Sequence, residues 1–426
     1  MNPSPYRLTT FACALTCALA PAYVIRWHIG FYPTTLLESA ILVSLAVFVV
    51  ELVLSHEPLV WRGPFVLPAL LFIIAGAIAV VAAPNRTAGL GLYRAYIIEP
   101  IAFGLVLANV IRTSRRAALV AGGLAAGAAV AGLANSFVVL SGLINHTYDV
   151  ALTPPVVIYS TANAVALYVV PIVALAISVA LYGSREERFG AAAFVVAGTI
   201  IAALSFSRGG YLALAAVVLG AVVLHRRRLL MLGVAVVGLA ALAVVPPIRH
   251  RILIETHNVY GNTIQSRIDL WTAAVKLIRH RPLFGAGLSG FQQMSAPYYT
   301  HLHTAANFID PHNIVLNFWV ETGLVGLIAF AWIMVVGFQV SWRGWRQGSG
   351  GWPAYHLGVL LALVAVVVHG MVDVPYFKND LSLLFWILIG LTCAGRQWAA
   401  PGSDAQVPTL RTGLAPGPGR SSRRTG

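Results

Sequence analysis

Long apolar stretches, separated by short polar ones, run along most of this sequence. Most of the stretches span about 17 to 25 residues, the length that crosses a roughly 30 Å hydrocarbon layer as a helix. The pattern therefore predicts an all-α fold, that of a polytopic membrane protein with about 12 transmembrane helices. The stretches lie near residues 8–25, 35–54, 64–83, 93–111, 117–142, 160–182, 189–206, 209–224, 229–246, 313–340, 355–372 and 381–395.

The composition agrees with a membrane protein and argues against a soluble one. Of the 426 residues, 58% are hydrophobic and 10% are charged, and the mean hydropathy is +0.80. A soluble protein of this composition would have too few polar side chains to cover its surface. The net charge of +14 would suggest nucleic-acid binding in a soluble protein, but basic residues beside apolar helices serve as topology signals and contact anionic lipids. We therefore predict membrane lipids as partners and no nucleic acid.

The basic residues also predict how the chain is oriented. With the N-terminus in the cytoplasm, alternating helices place most basic residues of the short loops on the cytoplasmic side. An alternative for the first stretch is a secretory signal peptide, but Pro21 directly after "CALA" disfavours cleavage. Both termini are therefore expected in the cytoplasm. The cytoplasmic basic residues, besides those of the tail, are Arg7, Arg62, Arg112, Arg115, Arg116, Arg185, Arg188, Arg226, Arg227, Arg228, Arg343 and Arg346.

One long polar segment interrupts the apolar pattern and divides the chain. Residues 1–246 are predicted to hold transmembrane helices 1–9, and residues 247–311 a periplasmic loop with short helices. Helices 10–12 are expected in residues 312–398. The last segment, 399–426, is rich in Pro, Gly, Ser and Arg, which predicts a disordered basic cytoplasmic tail. The long loop is where we expect much of the function.

The middle of the loop predicts a helix with a cation near its start. Ser266, followed three residues later by Asp269, is typical of an N-cap, so we expect a helix from about 267 to 280. Arg267 would lie in its first turn, where free backbone amides and a guanidinium together bind an oxyanion such as phosphate. The alternative is an exposed arginine on a solvated helix face. The stripe expected to pack on the membrane face or on other helices is Ile268, Trp271, Val275 and Ile278.

A second arginine, Arg208, lies in a very short link between two apolar stretches. An arginine at the membrane edge is costly to leave unpaired, and the following helix presents its N-terminus at the same place. Gly209 and Gly210 allow a turn and the close approach of another group. Arg208 is thus a second candidate for binding an anion. The alternative is that it extends to the phosphates of membrane lipids.

Other ionisable residues stand at the borders of apolar stretches. His312 and Asn313 follow Pro311 where such a stretch begins, and an imidazole with an unperturbed pKa of about 6.5 can be neutral there and act as a base. The alternatives are that His312 caps the helix or only positions a substrate. Arg94 and Glu99 fall in the outer half of the fourth stretch, where ionisable groups are functional candidates, although these two can also neutralise each other.

The sequence gives little support for a metal site. His301, His303 and His312 could together hold a metal, but no cluster of acidic ligands accompanies them. We therefore predict neither metal nor cofactor. The cysteines lie in or beside apolar stretches and are expected to be small buried hydrophobes; they are Cys13, Cys17 and Cys393.

Three segments resemble the signature segments of the O-antigen ligase and O-antigen polymerase superfamily. They are SRGGYLAL, then SRIDLW with RHRPLFGAGLSGF, then HN followed nine residues later by GLVG. The last one, formed by His312, Asn313, a spacer of nine residues, Gly323 and Gly326, resembles the histidine motif of O-antigen ligases. The resemblance covers roughly residues 160–340 and is closest to the ligases.

This resemblance implies an inverting, metal-independent glycosyltransferase of the bacterial inner membrane, with its active site on the periplasmic face. The donor would be a glycan on undecaprenyl diphosphate, and the acceptor a lipid A core sugar, as in lipopolysaccharide biosynthesis. The family's catalytic residues correspond to Arg208, Arg267 and His312. The arginines would stabilise the diphosphate leaving group, and His312 would accept the proton of the acceptor hydroxyl.

Further side chains are candidates for substrate binding. Tyr298, Tyr299 and His301 lie in the variable part of the long loop and are able to stack on sugars. Arg94 and Asn313 complete the predicted set of substrate-binding residues.

Other functions remain open at this point. Members of the same superfamily polymerise O-antigen or exopolysaccharide, and some glycosylate proteins. A transporter or flippase of lipid-linked glycan also needs many helices, but transporters usually show repeated halves with broken helices at the membrane midplane, which this sequence does not show. A non-catalytic scaffold would leave Arg208, Arg267 and His312 without a shared role.

Overall fold

The structure is a computed structural model that describes residues 5–147, 157–159, 161–246, 248–249, 263–299 and 308–393. These residues form α-helices, helical turns and links, apart from one two-stranded antiparallel hairpin. Seven helices are long and apolar enough to cross a membrane. The chain is therefore a polytopic helical membrane protein, as predicted. The tail at 399–426 and His301 lie outside the described residues.

Each of the twelve predicted apolar stretches contains a helix. The described residues add four shorter apolar helices to the seven long ones, so the count of twelve spans stays a prediction. In chain order the helices are α1 Arg7–Ala18, α2 Leu36–Ser55, α3 Val66–Ala82, α4 Arg86–Tyr93, α5 Glu99–Val110, α6 Ser114–Ile144, α7 Ala162–Tyr182, α8 Arg185–Leu204, α9 Arg208–Leu224, α10 Arg228–Val244, α11 Thr263–His280, α12 Phe291–Ser295, α13 Ile314–Gln347, α14 Trp352–Gly370 and α15 Asn379–Cys393.

Polar side chains just ahead of the helices determine where several of them begin. Ser184 caps α8 and forms a capping box with Glu187, whose carboxylate accepts a hydrogen bond from the backbone amide of Ser184 at 2.8 Å. Thr35 accepts a hydrogen bond from the amide of Glu38 at the start of α2. Such caps satisfy backbone N–H groups that have no partner within the helix, so these helix starts are encoded locally.

Helices α7 and α14 are the most buried of the long helices and pack against each other. Helix α7 also contacts α8 and α9. The close approach of α14 to α7 depends on Gly358, where an added Cβ would lie 2.6 Å from Leu175 Cδ1. The start of α7 and the end of α14 lie together, because Asn163 donates a hydrogen bond to Asp373, three residues after the end of α14.

An aromatic cluster holds the first turns of α13 in place. The ring of Phe318 stacks on that of Phe330 with centroids 3.8 Å apart, and lies 5.8 Å from Phe72 of α3. Tyr376, in the link between α14 and α15, is 5.1 Å from Phe318. Buried aromatic pairs contribute about 0.5–1.5 kcal/mol each beyond the area that they bury. The start of α13 is therefore anchored to α3 and to that link.

The hairpin between α1 and α2 was not predicted. Its strands, β1 Arg26–Ile29 and β2 Tyr32–Thr35, pair antiparallel around a turn at Gly30, where φ is +62°. Strands of this length give too few alternating positions to be recognised between two long apolar stretches. The hairpin contributes to the surroundings of Arg94, because it places the ring of Tyr32 against the guanidinium.

Helix α11 corrects two predictions. It begins at Thr263 rather than near residue 267, so Ser266 is not its N-cap and Arg267 is not in its first turn. Asp269 instead accepts a hydrogen bond from Gln265 at 3.1 Å, a pair one turn apart within the helix. Of the predicted stripe, Ile278 is buried, whereas Ile268 and Val275 are 45% and 36% exposed, so their packing on the membrane face stays a prediction. The buried face consists of Leu270, Ala273, Ala274, Leu277 and Ile278.

Candidate functional site

His312 lies at one end of the bundle, directly ahead of α13. Asn313 caps that helix by accepting hydrogen bonds from two backbone amides of its first turn, at 3.0 and 3.1 Å. The side-chain amide of Asn313 donates to the carbonyl of Met371 at 3.1 Å, which ties the start of α13 to the link after α14. His312 has a left-handed φ of +50°, and its backbone amide donates to Asp310 Oδ1 at 2.8 Å. This turn and cap fix the backbone that carries the imidazole.

Two carboxylates flank the imidazole of His312. Its Nδ1 lies 3.1 Å from Asp310 Oδ1 and 3.5 Å from Asp373 Oδ1. Asp373 is itself held by two hydrogen bonds. Its Oδ2 accepts one from the side-chain amide of Asn163 at 2.7 Å, and its Oδ1 accepts one from the backbone amide of Val374 at 2.8 Å. The His312 side chain remains 27% exposed, whereas that of Asp373 is 9% exposed. One ring nitrogen is therefore directed at two acids, the partly exposed Asp310 and the buried Asp373, while part of the ring stays accessible.

This setting changes the protonation of both groups. Burial alone would lower the pKa of His312, but contact with Asp310 and Asp373 and their charges outweigh it and raise the pKa to about 10. Burial would raise the pKa of Asp373, but contact with His312 and its charge hold that pKa well below its usual value. The pair is therefore imidazolium and carboxylate at neutral pH. The sequence suggested a neutral His312, because it does not reveal that folding places two carboxylates beside the ring.

Asp373 also connects His312 to the start of α9. His369, in the last turn of α14, interacts electrostatically with Asp373. Gly209 packs so closely on His369 that an added Cβ would lie 2.8 Å from Nε2 of its ring. Arg208 is the first residue of α9 and precedes Gly209 directly. The start of α9 thus lies against His369, and the turn at His312 lies against Asp373, four residues further along the chain.

Arg267 approaches the same group of side chains from α11. It is partly exposed, and its charge interacts with His369. Helix α11 is fixed against α13, with Leu270 and Leu277 in one buried cluster with Val320. The fold therefore brings the three residues predicted as catalytic to one end of the bundle, although the first and the last are more than a hundred positions apart in the sequence.

Arg94 lies in a different cluster of charges, at the π-helical turn between α4 and α5. Its guanidinium is 2.9 Å from Glu38 Oε2 and 3.1 Å from Glu99 Oε1, and it lies over the ring of Tyr32 at 4.5 Å. Glu38 and Glu99 are buried. The ion pair between Arg94 and Glu99 that the sequence suggested is therefore present, with Glu38 as a second partner. A role of Arg94 in substrate binding stays a prediction.

The other predicted substrate-binding residues lie at and after α12. The ring of Tyr298 is 5.4 Å from that of His280, and the hydroxyl of Tyr299 is 2.9 Å from the hydroxyl of Ser295. Both tyrosines pack at the border of the buried cluster between α11 and α13. His301 lies outside the described residues, so its predicted role is untested.

The part of the chain that the structure describes holds no group of three or more His, Cys, Asp or Glu side chains arranged for a metal ion. His301 and His303, which the sequence placed in a candidate metal site, are not among the described residues. The cysteines are buried free thiols, as predicted; they are Cys13, Cys17 and Cys393.

The glycine-rich link between α11 and α12 fits against α13. The amide of Ala286 donates to the carbonyl of Val320 at 2.7 Å. Glu321, the next residue of α13, accepts hydrogen bonds from the backbone amides of Ser289 and Phe291 at 2.5 and 3.3 Å. Glu321 therefore binds the link to the helix that follows His312.

A glycine in α13 makes this docking possible and provides a test of it. Gly323 has φ +69° and ψ −179°, a conformation open essentially to glycine, and an added Cβ would lie 2.2 Å from the carbonyl oxygen of Leu283. Gly323→Ala is expected to lower stability by about 1–3 kcal/mol or more, measured as a lower thermal unfolding temperature in detergent. Gly91→Ala is the control, because an added Cβ there meets nothing within 4 Å. Equal unfolding temperatures for both variants would contradict this packing.

Four residues around His312 were missed by sequence reasoning. One of them stands only two positions before His312, whereas the other three are far from it in the sequence and are brought to it by folding. One signal was available, because Asp373 lies in a short polar link on the side of the membrane where the topology also places His312. The missed residues are Asp310, Asp373, Asn163 and His369.

A comparison with known protein families points to the same part of the chain. Residues 192–331 match the family model described as O-antigen ligase, and this range includes Arg208, Arg267 and His312. The chain is also similar to an uncharacterized protein of Haemophilus influenzae, with 30% identity over 171 residues. That similarity covers 35% of this chain and 42% of the relative, so the chain spans less than half the length of the relative.

Proposed function

This chain belongs to the O-antigen ligase superfamily through residues 192–331, and we propose on that premise that it is a glycosyltransferase with a lipid-linked glycan as donor. The donor would be a glycan on undecaprenyl diphosphate, and the acceptor a hydroxyl of a lipid A core sugar. One observation supports this most strongly. The imidazole of His312, between Asp310 and Asp373, lies at the same end of the bundle as Arg208 and Arg267.

The proposed reaction breaks the bond between the anomeric carbon and the diphosphate. The acceptor oxygen attacks from the opposite side, which inverts the configuration, and undecaprenyl diphosphate leaves with the bonding electron pair. Arg208 and Arg267 bind the diphosphate oxygens, whose negative charge grows as the bond breaks. Guanidinium groups at the edge of a low-dielectric membrane take the part that a metal ion plays in other glycosyltransferases, so the reaction is proposed to be metal-independent.

His312 is proposed to accept the proton of the acceptor hydroxyl. Its Nδ1 faces Asp310 and Asp373, so Nε2 is the nitrogen that serves the substrate. The two carboxylates make the imidazole a stronger base and orient it, in the way that a carboxylate orients histidine in other acyl and glycosyl transfers. They also keep it protonated at neutral pH, so the ring must release a proton before it accepts one from the acceptor.

The remaining assignments follow from this proposal. Asn313 holds the start of α13 and thereby supports His312, while Tyr298, Tyr299 and His301 are proposed to contact the sugars, and Arg94 the donor. The site would face the periplasm, in a bacterial inner-membrane protein with about 12 spans and both termini in the cytoplasm. Residues 247–311 would form the periplasmic loop, and 399–426 the cytoplasmic tail.

The decisive experiment is a transfer assay with the purified protein in lipid. A labelled undecaprenyl-diphosphate glycan is incubated with and without lipid A core, and the products are separated by size. A discrete shift that needs lipid A core is the expected result. A ladder formed without it would instead indicate a polymerase, and donor that changes leaflets without any product would indicate a transporter. Loss of transfer with a chelator would contradict the metal-independent mechanism.

The arginines give a prediction for this assay. Arg208→Lys and Arg267→Lys are each expected to lower transfer by about 10- to 100-fold, because one ammonium cannot replace a guanidinium that donates two charge-assisted hydrogen bonds. The assay compares initial rates of transfer to lipid A core. Arg279→Lys, in the last turn of α11, is the matched control and should be near the wild type. Full activity of either Lys variant at Arg208 or Arg267 would contradict bidentate binding.

A further inference from the structure

The end of the bundle opposite His312 carries two cavities beside the last turns of α13. Helix α14 connects the two ends: Met371, just after it, accepts the hydrogen bond from Asn313 next to His312, whereas His356 in its second turn packs against Gly344 of α13. The last turns of α13 therefore lie at the other end of α14 from His312. One cavity has a volume of about 300 Å³ and the other about 470 Å³. The first is lined by Tyr182, Leu224, Arg226, Trp345 and Arg346. The second is lined by Phe338, Gln339, Trp342, Arg343 and Leu360.

Both cavities combine arginines with tryptophans and aliphatic side chains. Arg343 and Arg346 are three residues apart, so they lie on neighbouring positions of one helix face. The guanidinium of Arg346 is 5.8 Å from the ring centroid of Trp345, whose ring lies 5.3 Å from that of Trp342. Tryptophan and arginine are typical of the head-group level of a membrane, and the apolar walls are suited to acyl chains.

The lining is basic without acidic partners. None of the described residues that line either cavity is Asp or Glu. Glu187, in the first turn of α8, already accepts hydrogen bonds from the hydroxyl of Tyr355 at 2.7 Å and the amide of Ser184 at 2.8 Å. The arginines are therefore suited to a phosphate, whereas an ammonium group would find no carboxylate in these cavities.

We infer that the two cavities bind a phospholipid whose head group carries phosphate but no amine, with the phosphate on Arg226, Arg343 and Arg346. The acyl chains lie along Leu224 and Leu360. Basic pockets between helix ends on one membrane face are a recognised way of binding anionic phospholipids. This site is separate from the proposed transfer reaction, since it lies at the other end of α13 from His312.

Lipid selectivity of the purified full chain tests the inference. Phosphatidylglycerol and phosphatidylethanolamine with identical acyl chains are added in turn to the protein in detergent, and bound lipid is counted by native mass spectrometry alongside thermal unfolding. Phosphatidylglycerol is expected to bind and to raise the unfolding temperature, and phosphatidylethanolamine to do neither at the same concentration. Equal binding of both lipids, or equal stabilisation by inorganic phosphate alone, would overturn the inference.

Variants localise the site. Arg226→Gln, Arg343→Gln and Arg346→Gln are each expected to weaken phosphatidylglycerol binding by about fivefold, the effect of one basic residue near an anionic lipid surface. Arg115→Gln is the control, because this exposed arginine lies at the same membrane face, where Gly351 packs against Ser114. An equal loss in the control would assign the selectivity to general surface charge. If a Gln variant fails to fold, the lipid preference of the wild type decides alone.

Discussion

Replacement of His312 by alanine is expected to lower glycan transfer by roughly 10²- to 10⁴-fold, the usual contribution of general acid–base catalysis. Donor binding should remain close to that of the wild type, because the proton acceptor acts in the chemical step and the arginines hold the diphosphate. The helix itself should persist, because Asn313 supplies the cap of α13. The measurements are the rate of transfer to lipid A core and the retention of labelled donor by the purified variant.

His280→Ala is the matched control for this prediction. His280 lies in the last turn of α11, where its ring contacts Tyr298 and its Nδ1 is 2.8 Å from the carbonyl oxygen of Lys276. It is exposed and has no contact with Asp310 or Asp373 among those that the structure describes, so its loss should lower transfer far less than the loss of His312, by no more than the lost packing on Tyr298 costs. If His312→Ala lost donor binding together with transfer, His312 would bind the donor rather than act as the base.

Much of the fold was predictable because the membrane restricts backbone structure strongly. A segment in hydrocarbon must satisfy its own hydrogen bonds, so long apolar stretches are helices almost regardless of their details. The hairpin at Arg26–Thr35 and the start of α11 lie outside that rule. In water, hydrogen bonding does not favour one backbone form so strongly. An N-cap pattern such as Ser266 with Asp269 also occurs inside a helix, where Asp269 accepts a hydrogen bond from Gln265 instead.

The site was predictable only in part. The predictable residues belong to local sequence patterns, and the others are placed by long-range packing. Arg208 and His312 stand at or directly before helix starts, and Arg267 lies in the segment SRIDLW, so each belongs to a recognisable local pattern. Asp373 is 61 residues beyond His312 in the printed sequence and depends on the packing of α7, α13 and α14. No local pattern can encode such a contact, because it results from the arrangement of the whole bundle.

The protonation of His312 illustrates the same limit with consequences for mechanism. The sequence shows an imidazole two residues from Asp310, but only the fold brings Asp373 to the same ring, and together the two acids raise its pKa to about 10. A group with a raised pKa is protonated below that value and becomes a base only as the pH rises towards it. The proposed reaction should therefore speed up with pH over the range in which the protein remains folded.

Asp373→Asn is expected to shift this pH dependence to lower pH and to lower the maximal transfer rate by roughly tenfold or more, as for other residues that orient a functional imidazole. Asparagine keeps an oxygen for the amide of Val374 but removes one of the two charges that favour the imidazolium. The pKa of His312 then falls, so the neutral base forms at lower pH, although it is weaker and less well oriented. The measurement is the transfer rate between about pH 6 and pH 10.

Two further variants make the pH shift specific to His312. Asp310→Asn should also shift the rise of the transfer rate with pH to lower pH, because Asp310 also raises the pKa of His312. Asp269→Asn should not move it, since that carboxylate pairs with Gln265 within α11. If the rise of the transfer rate occurred at the wild-type pH in both Asp310→Asn and Asp373→Asn, another group would be the base. If wild-type transfer instead declined as the pH rose, His312 would act as a cation that binds the diphosphate, and the proton of the acceptor would have to go elsewhere.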